Sequence, residues 1–215
     1  SIMQTDCKRL LEQGEAMFSK RMPLLSQWQC IADQFYVERS DFTSSRSIGD
    51  DLAAHLNDSY PLIIRRELGD FLSTLRRKDQ EWCDATIERE DRLDDAGRKW
   101  LEQASKTQRR AMYDRRSQFT RALKEADHDY VTFGQAALTI EPNYKTNTLL
   151  YECWHLRDVV WRFAADGTLA SVHRKWLPDA YQLESQFKDK PGATLHQNVM
   201  TLLSSSKGMT EIDCR

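Results

Sequence analysis

The chain has 215 residues, 40% hydrophobic and 30% charged, with six tryptophans. This composition is too apolar and aromatic for a disordered polypeptide and predicts a soluble folded domain. Since 31 basic residues nearly balance 33 acidic ones, no global positive field indicates a nucleic-acid binder. Five scattered cysteines without a C-x-x-C pair predict reduced thiols and no structural zinc. No apolar run reaches the about 20 residues of a membrane span, which favours the cytoplasm.

The first helical region has apolar residues spaced three and four apart, as in an amphipathic helix. We predict a helix from Asp6 to about Phe35, with a break or kink at Pro23 because proline lacks the amide that bonds back one turn. Segment 38–50 is polar and serine-rich. It therefore predicts an exposed loop.

Three further helical regions follow in the sequence. The apolar spacing over 50–75 predicts two helices, the second starting near Pro61, a residue favoured in a first helical turn. A long helix is predicted over 91–127, with a break near 105–107. A shorter helical segment is predicted over 130–138.

The last third changes character towards β-structure. Segments 149–163 and 169–176 are rich in Trp, Val, Tyr and His. Between them lies Asp166-Gly167, a strong signal for the tight turn of a β-hairpin. A short helix is predicted after the second strand, over 181–188.

These elements predict an α+β fold, mostly helical, with a small antiparallel sheet built around the β-hairpin in the C-terminal third. We expect a helical part, 1–138, and a sheet part, 139–215, within one structural unit. Segment 209–215 could begin another strand. The chain stops without a terminating element, so we expect a fragment of a longer polypeptide.

Four polar residues of the hairpin region suit two kinds of chemistry: Cys153, His155, Asp158 and His173. A thiol near a histidine can act as a nucleophile or bind a metal. On a regular strand, however, Cys153 and His155 share one face and Asp158 points away. The chain also lacks the glycine-rich, hydrolase and zincin motifs. We therefore predict an aromatic packed hairpin, with no catalytic residue, cofactor or metal, and keep a thiol- or metal-dependent enzyme as an alternative.

The charge is locally uneven: segment 98–124 contains nine basic residues and two acidic ones. On one continuous helix, most of these bases fall within an arc of roughly 140°. The candidate contact residues are Arg98, Arg109, Arg110, Arg116, Arg121 and Lys124. Two interpretations stay open: a solvated face or salt bridges between subunits, and contact with DNA phosphates that weakens steeply with salt.

An ordered series of motifs resembles one known family. The segments that carry the resemblance are 28–36 (WQCIADQFY), 68–73 (LGDFLS) followed by Trp82, 98–101 (RKWL), 129–136 (DYVTFGQA), and 155–158 (HLRD) through Asp166-Gly167 to 173–176 (HRKW), with Gln182-Leu183 and Phe187. The series is similar to the portal proteins, or head-to-tail connectors, of podovirus-type bacteriophages. It spans about residues 9–203. The loop Glu38-Arg39-Ser40-Asp41 departs from the family, which tends to have a Pro-Gly-type loop there.

The resemblance implies a structural subunit of the virion, present in the host cytoplasm during assembly. Portals are ring oligomers, typically dodecamers, at one capsid vertex; they pass DNA, dock the terminase and hold the tail. By the family's layout this chain corresponds to the outer wing, which contacts neighbouring subunits and the capsid protein. The stem and the clip, with the terminase and tail contacts, would lie beyond Arg215. The alternative is a phage-derived adaptor that retains only the wing.

Overall fold

The computed structural model describes residues 2–51, 59–88 and 92–215. Within these residues it contains seven α-helices and two antiparallel two-stranded sheets, which confirms the predicted α+β class. Contacts between residues group the chain into two compact units, one of 1–27 with 155–215 and one of 28–154. The domain division at residue 138 stays a prediction.

The N-terminal region forms two helices, α1 (Ile2–Lys20) and α2 (Met22–Phe35). The helices are separated at Arg21, and Pro23 lies in the first turn of α2, where a missing amide costs no hydrogen bond. The predicted helix with its break is thereby confirmed. After a short 3₁₀ turn, Val37–Arg39, no helix or strand follows up to residue 51, which confirms the loop. Its predicted exposure is wrong at Ser40 and Phe42, which are 0% and 5% exposed.

Helix α3 (Tyr60–Thr74) has a proline in its first turn. This confirms the second of the two helices predicted over 50–75. The first of them falls on 52–58, outside the described residues.

Two helices, α4 (Asp95–Met112) and α5 (Phe119–Phe133), replace the single helix predicted over 91–127, which is wrong. The predicted break at 105–107 is also wrong, because α4 continues through it. The chain turns instead at Gln118, whose φ of 58° is left-handed and cannot continue a right-handed helix.

Side chains around the 3₁₀ turn 115–117 build the break. The Asp114 carboxylate accepts from the Arg116 amide at 2.8 Å. The Ser117 hydroxyl hydrogen-bonds the carbonyls of Met112 and Asp114, at 2.5 and 2.7 Å. Hydroxyls and carboxylates that bond nearby backbone favour turns over a continuing helix. The basic residues before and after this turn consequently lie on different helices.

The first sheet is a hairpin of β1 (Ala137–Asn143) and β2 (Thr148–Trp154). The helix predicted over 130–138 is confirmed only over 130–133, as the end of α5, and is wrong beyond it, because α5 ends at Phe133 and the next residue, Gly134, has a left-handed φ of 70°. Its last residues belong to β1, in which exposed Leu138 and Ile140 alternate with half-buried neighbours.

The second sheet is a hairpin of β3 (Val159–Phe163) and β4 (Leu169–Arg174). Gly167, with φ 83°, lies in its connecting turn, so the predicted Asp-Gly hairpin is confirmed. The first predicted strand, 149–163, is not continuous, because the 3₁₀ turn Leu156–Asp158 separates β2 from β3.

Two short helices complete the unit that contains the second hairpin. Helix α6 (Ala180–Phe187) confirms the helix predicted over 181–188, and α7 (Gln197–Ser204) was not predicted. They share a core of Ala180, Leu183 and Val199. The strand expected over 209–215 consists of single bridges, Trp176 to Cys214 and Asp179 to Glu211.

Helix α5 is the central element of the unit 28–154. Asp127 and His128 on one side contact α3. Phe119 and Ala122, about half a helical turn away, pack with Met112 of α4 and with the β1–β2 hairpin. Helix α3 therefore packs along one side of α5, and the last residue of α4, Met112, packs against the other side near the start of α5.

Candidate functional site

Three consecutive ionisable residues of α5 are buried. Asp127 and His128 are each 8% exposed and Asp129 is 1% exposed. Successive helical residues point about 100° apart, so each side chain meets a different part of the unit. Buried charges are stable only when they are paired and hydrogen-bonded. Each of the three has an arginine partner; together we call them the α5 ionic cluster.

Asp129 pairs with Arg39, from the 3₁₀ turn that follows α2. Arg39 Nε lies 3.1 Å from Oδ1 and Nη2 lies 3.2 Å from Oδ2, a two-pronged geometry. Burial lowers the pKa of the Arg39 guanidinium. The nearby acidic groups, chiefly the Asp129 carboxylate, raise it by more, so the pKa is raised overall. This pair fastens the turn after α2 to α5.

Asp127 pairs with Arg76, just beyond the end of α3. Its Oδ2 also accepts a hydrogen bond from Ser73 Oγ at 3.0 Å. Ser73 belongs to α3, so Asp127 holds the end of this helix against α5.

His128 lies between two residues of α3. Arg65 Nη1 is 2.6 Å from Nδ1, and Asp70 Oδ1 is 3.3 Å from Nε2. A guanidinium only donates, so Nδ1 accepts and the imidazole proton resides on Nε2, facing Asp70. Burial, followed by the Arg65 charge, lowers the pKa of His128. The imidazole is therefore neutral at pH 7, and Arg65 also stacks 4.0 Å from the centre of the Tyr36 ring.

The arrangement supports mechanical attachment better than catalysis. A general base or nucleophile must face a space that a substrate can enter, whereas the three α5 groups are buried and bonded to arginines from other segments. The α5 ionic cluster joins the segment after α2, the middle of α3 and the end of α3 to one helix. The prediction from the sequence did not identify this cluster. The signal that could have indicated it is the run of three adjacent ionisable residues, Asp127-His128-Asp129.

The thiol of Cys153 is held in an unreactive state. Burial and the nearby Asp129 carboxylate raise its pKa to about 12, and Sγ lies 3.7 Å from Asp129 Oδ2. A nucleophilic cysteine needs a lowered pKa, because the thiolate is the reactive form. The geometry therefore gives no support to the thiol-enzyme alternative.

The other members of that constellation have structural contacts of their own. His155 Nδ1 accepts from the Arg157 amide at 3.0 Å, and the Arg157 guanidinium pairs with Asp158 at 2.8 Å. The His173 ring packs against Gly14, where a Cβ atom would lie 2.9 Å from Nδ1. Across residues 2–51, 59–88 and 92–215, no group of three or more His, Cys, Asp or Glu is placed to hold a metal ion.

The candidate basic residues are divided between two helices and the turn that separates them. Arg98, Arg109 and Arg110 lie on α4, Arg116 lies in the turn, and Arg121 and Lys124 lie on α5. They do not share one helix face, because that projection required an unbroken helix. Their role in subunit or DNA contact stays a prediction.

Most of these bases already have an acidic neighbour. The Arg109 side chain is only 14% exposed and pairs with Glu81 at 2.5 Å and Asp84 at 3.5 Å. The other pairs are Arg98–Asp95, Arg116–Asp114, Arg121–Glu125 and Lys124–Asp70. Arg110 is exposed and has no ion pair within the described part of the chain.

Exposed apolar side chains form a stripe on the outer side of α3. Its members are Ile63, Ile64, Leu68, Phe71 and Leu75, and we call them the α3 outer stripe. The residues that α3 buries are Arg65 and Gly69, so the usual polarity of a surface helix is reversed. Contiguous exposed apolar surface of this kind is typical of a site that binds another molecule.

A family model for bacteriophage head to tail connecting proteins matches residues 7–213. The chain belongs to this family of structural phage connectors, which confirms the resemblance found in the sequence. No curated protein matches the chain. None of the described helices is long and apolar enough to cross a membrane.

Proposed function

We propose that the chain is a portal subunit that assembles with copies of itself into a ring at one vertex of the phage capsid. The observation that carries this proposal is the family match over 7–213, nearly the whole chain. The ring would let DNA enter the capsid during packaging and leave it during ejection. Its expected partners are other copies of the chain, the capsid protein and tail components, within the virion.

The geometry supports a role in assembly rather than in catalysis. The α5 ionic cluster makes a rigid framework of the unit 28–154, and the α3 outer stripe offers apolar surface beyond it. In a ring, one surface of each subunit contacts a different surface of the next subunit. The buried centre of such an interface is rich in apolar side chains. Cys153, with its raised pKa, gives no sign of an activated nucleophile.

Negative-stain electron microscopy of the purified chain tests the ring directly. We expect closed particles of uniform diameter, and a mass from light scattering that is an integral multiple of the 25.1 kDa chain. Co-expression with the major capsid protein of the same phage should place one such ring at a single vertex. A monomer at every concentration tested would contradict the proposal.

A further inference from the structure

We infer that the α3 outer stripe of one copy packs against the outward, basic face of α4 in the next copy. This inference rests on the proposed ring and names the two surfaces that would form its repeating contact. A ring needs two different surfaces on each subunit, because its contacts run head to tail. Helix α3 packs along α5, whereas α4 reaches α5 only through its last residue, Met112, so the two helices offer different surfaces of the unit 28–154.

The α3 outer stripe has the spacing of a helix-packing seam. Ile64, Leu68, Phe71 and Leu75 follow one another at steps of four, three and four residues, which places them along one line of the helix. They are between 38% and 61% exposed. The opposite side of α3 is already occupied, because it buries Arg65 and Gly69 against α5.

The stripe is large enough for a subunit contact but does not complete one. Half-exposed side chains of this size leave on the order of 400 Å² of apolar surface, within the range of about 300–600 Å² at which patches on monomers are often functional. A standard interface buries about 800 Å² per partner. The stripe therefore accounts for about half of one side, and polar neighbours must supply the rest.

Charge identifies the matching surface. Glu67 lies within the α3 stripe, one helical turn from Ile63 and from Phe71, and is exposed without an ion pair within the described residues. On α4 the outward face carries Lys99 and Arg110, which have no ion pair within the described residues, whereas Lys106 is already paired with Glu102. An acidic group beside an apolar stripe suits a basic face, because unlike charges guide association and fix the register.

The α4 face also supplies an apolar anchor. Trp100 is 69% exposed and lies beside Gln103 on the side of α4 that faces away from buried Ser105 and Met112. Tryptophan and arginine are the residues most often responsible for interface energy. Trp100 against the α3 stripe would form such a centre, with Lys99 next to it and Arg110 nearly three turns further along α4.

Sedimentation velocity of the full chain over a range of concentrations tests the contact. We expect Leu68→Glu with Phe71→Glu, and separately Trp100→Ala, to weaken assembly by about 30-fold or more. Leu169→Glu is the matched control, since Leu169 is 58% exposed on β4, and should assemble as the wild type does. Each variant must keep the wild-type melting temperature, so that the loss reports contact rather than folding.

A charge exchange tests the pairing of the two faces. Glu67→Arg alone, and Lys99→Glu alone, should each weaken assembly by about three- to ten-fold. The chain carrying both changes should recover, because each junction regains opposite charges. Asp189→Arg, an exposed change elsewhere, should have no effect.

The outcomes separate this inference from the proposed ring. If the wild type assembles and the stripe variants assemble equally well, the inference is overturned and the ring stands. The same holds if the variants form normal rings but fail to enter capsids, because the stripe would then bind another virion protein. An equal loss in Leu169→Glu would also overturn it. A wild type that never assembles overturns the ring itself.

Discussion

Nδ1 of His128 accepts a hydrogen bond from Nη1 of Arg65 at 2.6 Å. Protonation of the imidazole would place an N–H group on Nδ1, facing the N–H groups of the guanidinium, and would break this bond. Burial and this positive neighbour keep the pKa of His128 below its ordinary value of about 6.5. Helix α3 is thus held to α5 by a bond that requires a neutral histidine.

Stability should consequently fall as the pH is lowered through about 6.5. Above that pH the histidine is neutral in both the folded and the unfolded chain, and it contributes no pH dependence. Below it the unfolded chain binds a proton that the folded chain refuses, and the loss continues until the lowered folded pKa is passed. Urea denaturation between about pH 7.5 and 5.5 measures the slope.

The matched variant is His128→Gln, whose amide oxygen can still accept from Arg65 but cannot titrate. Its free energy of unfolding should vary less over the same pH range than that of the wild type. Equal slopes for the two proteins would show that another group carries the pH dependence.

Gly69→Ala should destabilise the contact between α3 and α5. The added Cβ would lie 2.6 Å from Cε1 and 2.8 Å from Cγ of the His128 ring, and the ring is fixed on both sides by Arg65 and Asp70. Crowding of this kind costs about 1–3 kcal/mol. Glu67→Ala, an exposed change on the same helix, should stay within about 0.5 kcal/mol of the wild type. A stabilised Gly69→Ala protein, the usual result inside a helix, would contradict the packing.

The helices and the Asp-Gly hairpin were predictable from local patterns, whereas the break in the long helix was not. The spacing of apolar residues runs on through Tyr113, and only the contacts of Asp114 and Ser117 with nearby backbone stop the helix. Gln118 adopts a left-handed conformation that its residue type does not announce. The β1–β2 hairpin was not predicted, because in the sequence β2 and β3 form one continuous run of β-favouring residues.

The candidate site depended on contacts between distant segments. The basic residues were grouped by projection on one helix, and that grouping failed when the helix proved to be two. The α5 ionic cluster joins Arg39, Arg65 and Arg76 to three adjacent residues, over separations of 51 to 90 positions. A single sequence gives no measure of such pairings. The family, in contrast, was recognisable because its motifs keep their order along the chain.

Removing either partner of the Arg39–Asp129 pair should be costly. Asp129 is 1% exposed and the Arg39 side chain 18%, so Arg39→Met or Asp129→Leu leaves a largely buried charge without its counterion, at a cost of about 3–5 kcal/mol. The double variant Arg39→Met with Asp129→Leu should cost less than the sum of the single changes, since it leaves neither charge. Chemical denaturation of all three proteins gives the coupling energy.

Arg121→Ala is the surface control, because Arg121 pairs with Glu125 while 75% of its side chain is exposed. Its cost should stay below about 1 kcal/mol. Strictly additive losses at Arg39 and Asp129 would mean that the two side chains do not interact.

Cys153 should be the slowest of the described thiols to react in the folded protein. Its pKa is raised to about 12 by burial and by Asp129, whereas Cys7 and Cys30 are exposed. Iodoacetamide labelling near pH 8, read by mass spectrometry, should modify the two exposed cysteines first. In denaturant all five should react at similar rates. Fast labelling of Cys153 in the native protein would revive the thiol-enzyme alternative.

Arg109 and Arg110 are neighbours in the sequence, but substitution of Arg109 should lower stability, whereas substitution of Arg110 should weaken assembly. Arg109 is mostly buried and pairs with Glu81 and Asp84, so Arg109→Ala should cost about 1–3 kcal/mol of stability. Arg110 is exposed, so Arg110→Ala should stay within about 0.5 kcal/mol while it weakens assembly through the α4 face. Thermal unfolding and sedimentation of the same samples separate the two effects. An Arg110→Ala protein that loses stability but assembles normally would place Arg110 in the framework and remove it from the contact.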